Sequence, residues 1–296
     1  MVDTKGLAAF MAVVSQESFE RAADQLCITQ SAVSQRLKSL ELQLGESLLV
    51  RSPQIKVTRA GQALLKYANS LSLLERSLMT DLAPRKQSQW MKISIATNAD
   101  TLATWLLSAL APWCEQHKVL LDLKIDDQDQ THQLLRSGDV IGCISSVKQV
   151  FQGCTTTSLG KVKYHCIASP SFVAKYFKQG VNGNTLKKAP TVIFNRKDQL
   201  QHEYLKRFFN IEANQQYHHF VPSSEGYIEW IIRGMGFGMA PKEQVQRYLN
   251  SKELVLVTPE SSIDIPLYWQ HWGINTEISR SLAQQLERFA LHAHSM

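Results

Sequence analysis

Residues 19 to 40 read FERAADQLCITQSAVSQRLKSL, and their spacing decides the first domain. The stretch predicts two short amphipathic helices joined by a tight turn. Ala23 falls where the helices cross. Val33, ten residues on, returns against the first helix, and Leu26, Ile28, Leu37 and Leu40 fill the space between. That is the packing of a helix-turn-helix. The second helix keeps a free face of Ser31, Ser34, Gln35 and Lys38, with Arg36 on its flank. Such side chains are short or flexible, form hydrogen bonds and carry no carboxylate, as entry into the DNA major groove requires.

Working outward, Leu7, Phe10, Val13 and Val14 give helical spacing to a preceding helix. Ser18 and Thr29 stand where the second and third helices need N-caps. Thr29 leaves the first-turn N–H groups of the third helix facing a DNA phosphate. Residues 48–57, LLVRSPQIKV, read as a two-stranded wing presenting Arg51 and Lys56. Charge follows the same division. Residues 1–27 carry a net −2, whereas residues 28–60, with Arg36, Lys38, Arg51, Lys56 and Arg59, carry a net +3. Positive charge therefore gathers on the third helix and the loop after it, where phosphates lie.

Thr58 caps a helix expected over 59–83. Its Leu64, Ala68, Leu71, Leu74 and Leu78 recur at three- and four-residue spacing, the coiled-coil pattern, and we read them as a dimer seam. The alternative is that this helix packs on its own domain. Residues 83–89, APRKQSQ, read as a linker. Beyond residue 90, strands and helices alternate, a parallel α/β pattern of two lobes of about 100 residues each.

The 296-residue chain has a net charge of +6 and 44% hydrophobic residues, with no apolar run of membrane-spanning length. No signal peptide is expected, because the apolar N-terminus continues in helical register into the helix-turn-helix. Five scattered cysteines read as reduced thiols, which points to the cytoplasm. Gly234, Gly236 and Gly238 read as a tight turn into a strand, not a nucleotide loop. His218 and His219 lack partners at metal spacing. No catalytic constellation is visible, so an enzyme is not expected, and no cofactor or metal is implied. A solute-binding protein shares the lobes but not the helix-turn-helix.

ERAADQLCITQSAVSQRLKSLELQLGESLLVRSPQIKVTRAGQ, residues 20–62, resembles the N-terminal module of LysR-type transcriptional regulators. The elements A-A-x-x-L, T-Q-S-A-V-S, L-E-x-x-L-G, L-L-x-R and T-x-A-G occur in order. The resemblance implies an α+β multidomain chain. Residues 1–58 would form a winged helix-turn-helix, 59–89 a dimerising linker helix and hinge, and 90–296 a periplasmic-binding-protein-like effector domain. Subdomain 1 would comprise 90–161 and 267–296, and subdomain 2 would comprise 162–266. The partners implied are double-stranded DNA, RNA polymerase and further copies of the chain in a homodimer or homotetramer. Ser34 and Gln35, with Ser31 and Arg36, would read bases, while Thr29, Gln30, Lys38, Arg51 and Lys56 would hold phosphates.

Within the family, ATNADTLATWLLSALAPW, VIGCISS, VPSSEGYI and LYWQHW resemble the ArgP and LysG branch, which senses lysine and arginine and controls their export. Three positions depart from the wider family: Asp127 after Asp126, Ile141, and Leu49 in the wing. In a two-lobed sensor the effector sits in the cleft, at strand C-termini and helix N-termini. That places Asn98, Asp100, Thr101, Asp127, Ser145, Ser223, Ser224 and Glu225 as candidates. Asp100, Asp127 and Glu225 would pair the cationic groups of L-lysine or L-arginine, since a buried cation needs a partner. Helix capping alone accounts equally for Asn98, Asp100 and the two serines.

Overall fold

The computed structural model describes residues 2–50, 54–82, 90–125, 128–148, 152–212 and 216–293. Arg51, Asp126, Asp127 and the linker 83–89 lie outside the described residues. The N-terminal domain runs α1 (Thr4–Gln16), α2 (Phe19–Leu26), α3 (Gln30–Leu44), β1 (Leu49–Val50), β2 (Lys56–Val57) and α4 (Arg59–Leu82). The caps are those the sequence predicts. Ser18 accepts from the Arg21 N–H and Thr29 from the Ala32 N–H. Ala22, Ala23, Val33, Leu37 and Leu40 are buried with Phe10 and Val13 in one core. Each large apolar side chain so buried stabilises the domain by about 1.5–3 kcal/mol.

Two motif residues close the wing. Glu41 Oε1 accepts from the Leu48 N–H at 2.8 Å, tying α3 to the strand that follows. Thr58 accepts from the Gly61 N–H and donates to the Ser47 carbonyl. Gly61 is needed for space, because a Cβ there would stand 2.3 Å from the Leu48 carbonyl oxygen. Leu49, in the wing, is buried in the same core.

The structure packs part of the expected α4 seam inside the chain. Leu64 and Ala68 belong to the N-terminal core, with Leu71 packed partly against it. These three positions therefore pack within the chain, the alternative to a seam between copies. Leu74 and Leu78, at 51% and 53% exposure, remain open.

The second domain begins with β3 (Met91–Thr97), α5 (Ala99–Thr101), a π-helical turn at Leu102–Leu106, and α6 (Leu107–His117). It continues with β4 (Val119–Ile125), α7 (Gln128–Ser137), β5 (Gly142–Ser145) and β6 (Cys154–Ala168). Then come α8 (Pro170–Tyr176), α9 (Gly183–Lys188), β7 (Thr191–Ile193), α10 (Leu200–Phe209) and β8 (His218–Phe220). The chain finishes with α11 (Ser224–Ile232), β9 (Gly238–Pro241), α12 (Lys242–Asn250), β10 (Val255–Leu256), β11 (Ser262–Trp272) and α13 (Glu277–Ala293).

The large sheet has the order β10-β6-β11-β5-β3-β4, with β9 also paired to β6. β3 lies parallel to β4 and β5, as the alternating pattern predicts. β6 and β11 are longer than their apolar halves indicate. They pair antiparallel along their length, with a register shift between Pro266 and Tyr268. One half of β11 pairs with β5, and one half of β6 pairs with β9 and β10. These two strands therefore carry the chain from one lobe into the other and back. α13 returns to the first lobe, where Leu282, Leu286 and Ala290 share a core with Trp105, Leu106 and Leu110. A separate parallel pair, β7 and β8, builds part of the second lobe.

Candidate DNA-reading helix and effector cleft

On α3, Val33, Leu37 and Leu40 point inward. Gln30, Ser31, Gln35 and Lys38 are consequently exposed, while Ser34 and Arg36 are half-buried. Thr29 and Ser31 share a hydroxyl–hydroxyl hydrogen bond of 3.0 Å at the start of the helix. Lys56 is exposed on β2. The structure thus presents a hydrogen-bonding face on α3, with Lys56 exposed on the wing strand that follows.

The cleft opens where β3 ends. Asn98 caps the following helix by accepting from the Thr101 N–H at 2.8 Å. Thr104 donates to the Asp100 carbonyl at 2.7 Å inside the wide π-helical turn. Together these fix Asp100 on the cleft wall. Ser224 Oγ donates to Asp100 Oδ1 at 2.8 Å, and Tyr164 Oη donates to Asp100 Oδ2 at 2.7 Å. Gln244 Nε2 in turn donates to both the hydroxyl and the carbonyl of Ser224 at 3.1 Å. Asp100 follows β3, Tyr164 lies on β6, and Ser224 and Gln244 open α11 and α12. One carboxylate therefore joins the two lobes.

Burial raises the Asp100 carboxyl above its ordinary range, outweighing the two hydroxyl bonds that lower it. The negative charges of Asp198 and Glu225 push it the same way. Burial and the adjacent Asp100 raise Tyr164 well above a free phenol, so it stays a donor.

The cavity around this network has a volume of about 820 Å³, within the usual range for small-molecule sites. Asp100, Asp198 and Glu203 supply carboxylates, and Lys197 supplies a cation. Asn98, Asn195, Ser224 and Gln244 add neutral polar groups, with Phe194, Met239 and Ile265 among the apolar ones. Asp198 is oriented by the backbone on either side of it, accepting from the Leu200 N–H at 2.9 Å and the Phe194 N–H at 3.4 Å.

Of the residues predicted for the effector, Asn98, Asp100 and Ser224 line this cavity. Thr101 is buried behind Asp100, in a small adjoining void. Three of the predicted residues stand outside the lining. Ser145 is fully buried in β5, its hydroxyl accepting from the Val147 N–H, and the neighbouring Ser146 reaches the cavity instead. Ser223 is an exposed cap that accepts from the Gly226 N–H and stands outside the lining. Glu225 is likewise exposed outside the lining, and its negative charge adds to the raising of the Asp100 carboxyl. Asp127 lies outside the described residues. Sequence reasoning missed Tyr164, Asn195, Asp198, Glu203 and Gln244. Among the described residues no group of three or more His, Cys, Asp or Glu is arranged to hold a metal ion, and no helix is long and apolar enough to cross a membrane.

Residues 4–62 match the bacterial regulatory helix-turn-helix protein, lysR family, and residues 87–293 match the LysR substrate binding domain. The chain belongs to the LysR family. Along 292 residues it is 41% identical to the HTH-type transcriptional regulator ArgP of Photobacterium profundum, covering 99% of this chain and 98% of that one. Its fold matches the crystal structure of ArgP from Mycobacterium tuberculosis, with a TM-score of 0.84, 35% identity and 98% of each chain covered. It also matches full-length LysG from Corynebacterium glutamicum with bound effector Arg, with a TM-score of 0.74, 30% identity and 97% of each chain covered. As a LysR-family member the chain is a DNA-binding transcriptional regulator and not an enzyme.

Proposed function

We propose that this regulator senses L-arginine or L-lysine in the cleft around Asp100 and controls genes for the export or metabolism of basic amino acids. The observation that carries the reading is the set of carboxylates Asp100, Asp198 and Glu203 on one cavity beside apolar walls. A basic amino acid brings two cations, one carboxylate and an aliphatic stem. Carboxylates pair the cations, Lys197 suits the ligand carboxylate, and the apolar wall suits the stem. The named relatives, one of them with arginine bound, support the same choice.

In this reading Gln35 and Ser34 contact base edges, with Ser31 and Arg36 beside them. Thr29, Gln30, Lys38, Arg51 and Lys56 hold phosphates. Residues 1–58, 59–89 and 90–296 divide the work between DNA, linker helix and sensor. Two copies place two reading helices about 34 Å apart, one helical turn, with Leu74 and Leu78 in the shared seam. A homodimer or homotetramer then engages RNA polymerase, in the cytoplasm where the chromosome lies.

A thermal-shift screen of the twenty common amino acids tests the effector. A ligand at 100 times its dissociation constant stabilises its protein by about 2.7 kcal/mol. L-arginine and L-lysine are expected to raise the melting temperature while neutral and acidic amino acids leave it unchanged. A shift with a neutral amino acid or a simple carboxylate alone would overturn the basic-ligand reading.

A further inference from the structure

α4 is fastened into both domains at once. Leu64 and Ala68 lie in the N-terminal core, and Leu73, less than two turns further on, is buried in the core of the sensor. Between and around these positions the helix rests on a built seat. The Lys66 ammonium stands 3.3 Å from the centre of the Trp272 ring. Asn69 Nδ2 donates to the Gly138 carbonyl at 2.7 Å, and Arg76 Nη2 donates to the His117 carbonyl at 3.2 Å. Gly138 takes a φ of +80°, and a Cβ there would stand 2.7 Å from the Lys66 backbone nitrogen. Glycine at this turn is what lets the helix backbone approach so closely.

The cleft meets the C-terminal end of β5 and the middle of β11, and the seat lies at the other end of β5 and the C-terminal end of β11. Ser146, just past β5, lines the cleft, as do Ile265 and Pro266 of β11. At the other end Gly142 of β5 pairs with His271 of β11, next to Trp272. A change in how the lobes meet at the cleft therefore reaches the seat through four or five residues of hydrogen-bonded sheet.

We propose that the Lys66–Trp272–Gly138 seat is the joint through which effector occupancy changes the pose of the DNA-binding domain. The inference rests on the basic amino-acid reading of the cleft. The arrangement with α4 seated also has Asp100 engaged by Ser224 and Tyr164. A ligand ammonium that takes Asp100 competes with the Ser224 bond, favours a different meeting of the lobes, and loosens the seat. Linkage makes this reciprocal: if arginine weakens the seat by a given factor, the intact seat weakens arginine binding by that factor, and breaking the seat strengthens binding by up to that much.

The test uses the full-length protein and L-arginine as the probe. Titration calorimetry compares the wild type with Lys66→Gln, Asn69→Ala and the more disruptive Gly138→Ala, with Lys92→Gln as a charge control elsewhere on the same lobe. Circular dichroism checks folding, and the two α4 variants keep the test open if Gly138→Ala misfolds. Arginine affinity is expected to rise at least threefold in Lys66→Gln and Asn69→Ala and to stay within twofold in the control. In the wild type, L-arginine should speed amide hydrogen exchange over residues 66–76 and 134–141. Equal affinities together with unchanged exchange would overturn the seat and leave the effector reading standing. No binding of L-arginine or L-lysine to the wild type would overturn that reading, and this inference with it.

Discussion

Ser224 Oγ donates to Asp100 Oδ1 at 2.8 Å, joining the start of α11 to the loop after β3. This bond makes one carboxylate both a strut between the lobes and part of the cleft lining. Asp100→Asn keeps the shape and removes the charge. Charged hydrogen bonds contribute about 1.5–3 kcal/mol, so L-arginine affinity should fall roughly 10- to 100-fold. Calorimetry on a variant with unchanged circular dichroism checks this.

The same residue predicts a pH dependence of known sign. Burial raises the Asp100 carboxyl, so the folded chain holds a proton at pH values where the unfolded chain has released it. This contribution to stability is present at low pH and lost as pH rises through the interval between the two values. Arginine affinity runs the other way, because the cation needs the ionised carboxylate, and it falls as pH drops into that interval. Asp100→Asn should flatten both trends, and it should raise the melting temperature of the unliganded protein at neutral pH while weakening arginine binding. Thermal unfolding and calorimetry across a pH series measure the two together.

Much of the DNA-binding domain was legible because its determinants are local. The caps at Ser18 and Thr29, and the alternation of buried Val33 and Leu37 with exposed Gln35 and Lys38, all lie within one or two turns of helix. The cleft was legible only at strand-to-helix junctions such as Asn98–Asp100 and Ser224. Asp198 and Asn195 sit on an irregular loop, and Tyr164 and Gln244 arrive from elements far apart in sequence, so no periodic signal marks them. β6 and β11 are legible only in part, because CTTTSLGK is polar and Pro266 interrupts the second strand. Spacing alone does not decide the partner of Leu64 and Ala68, since a three-four repeat looks the same whether its partner is another copy or its own domain.

That distinction on α4 is measurable. Leu64→Ala removes a side chain buried in the N-terminal core, and large-to-small changes of this kind cost about 2–5 kcal/mol. It should lower the melting temperature sharply. Leu74→Lys and Leu78→Lys change exposed positions and should leave the fold intact while shifting sedimentation toward smaller species. Unchanged assembly in the double variant would remove these leucines from the seam.

On the reading helix, Lys38→Ala should weaken binding to all duplexes alike and reduce the slope of log affinity against log salt by about 1. Gln35→Ala should instead flatten discrimination among bases, by about 1–3 kcal/mol at the position it contacts. Titrations of a selected duplex and its single-base variants at two salt concentrations separate the two behaviours.

Underlying all of these is the claim that one chain couples a duplex-reading helix to a cleft for basic amino acids. The most direct measurement is the affinity and footprint of the full-length protein on a duplex selected from a random pool, with and without L-arginine at fixed ionic strength. A several-fold change in affinity or a shifted footprint is the predicted result. Identical affinity and an identical footprint, with arginine demonstrably bound, would contradict it.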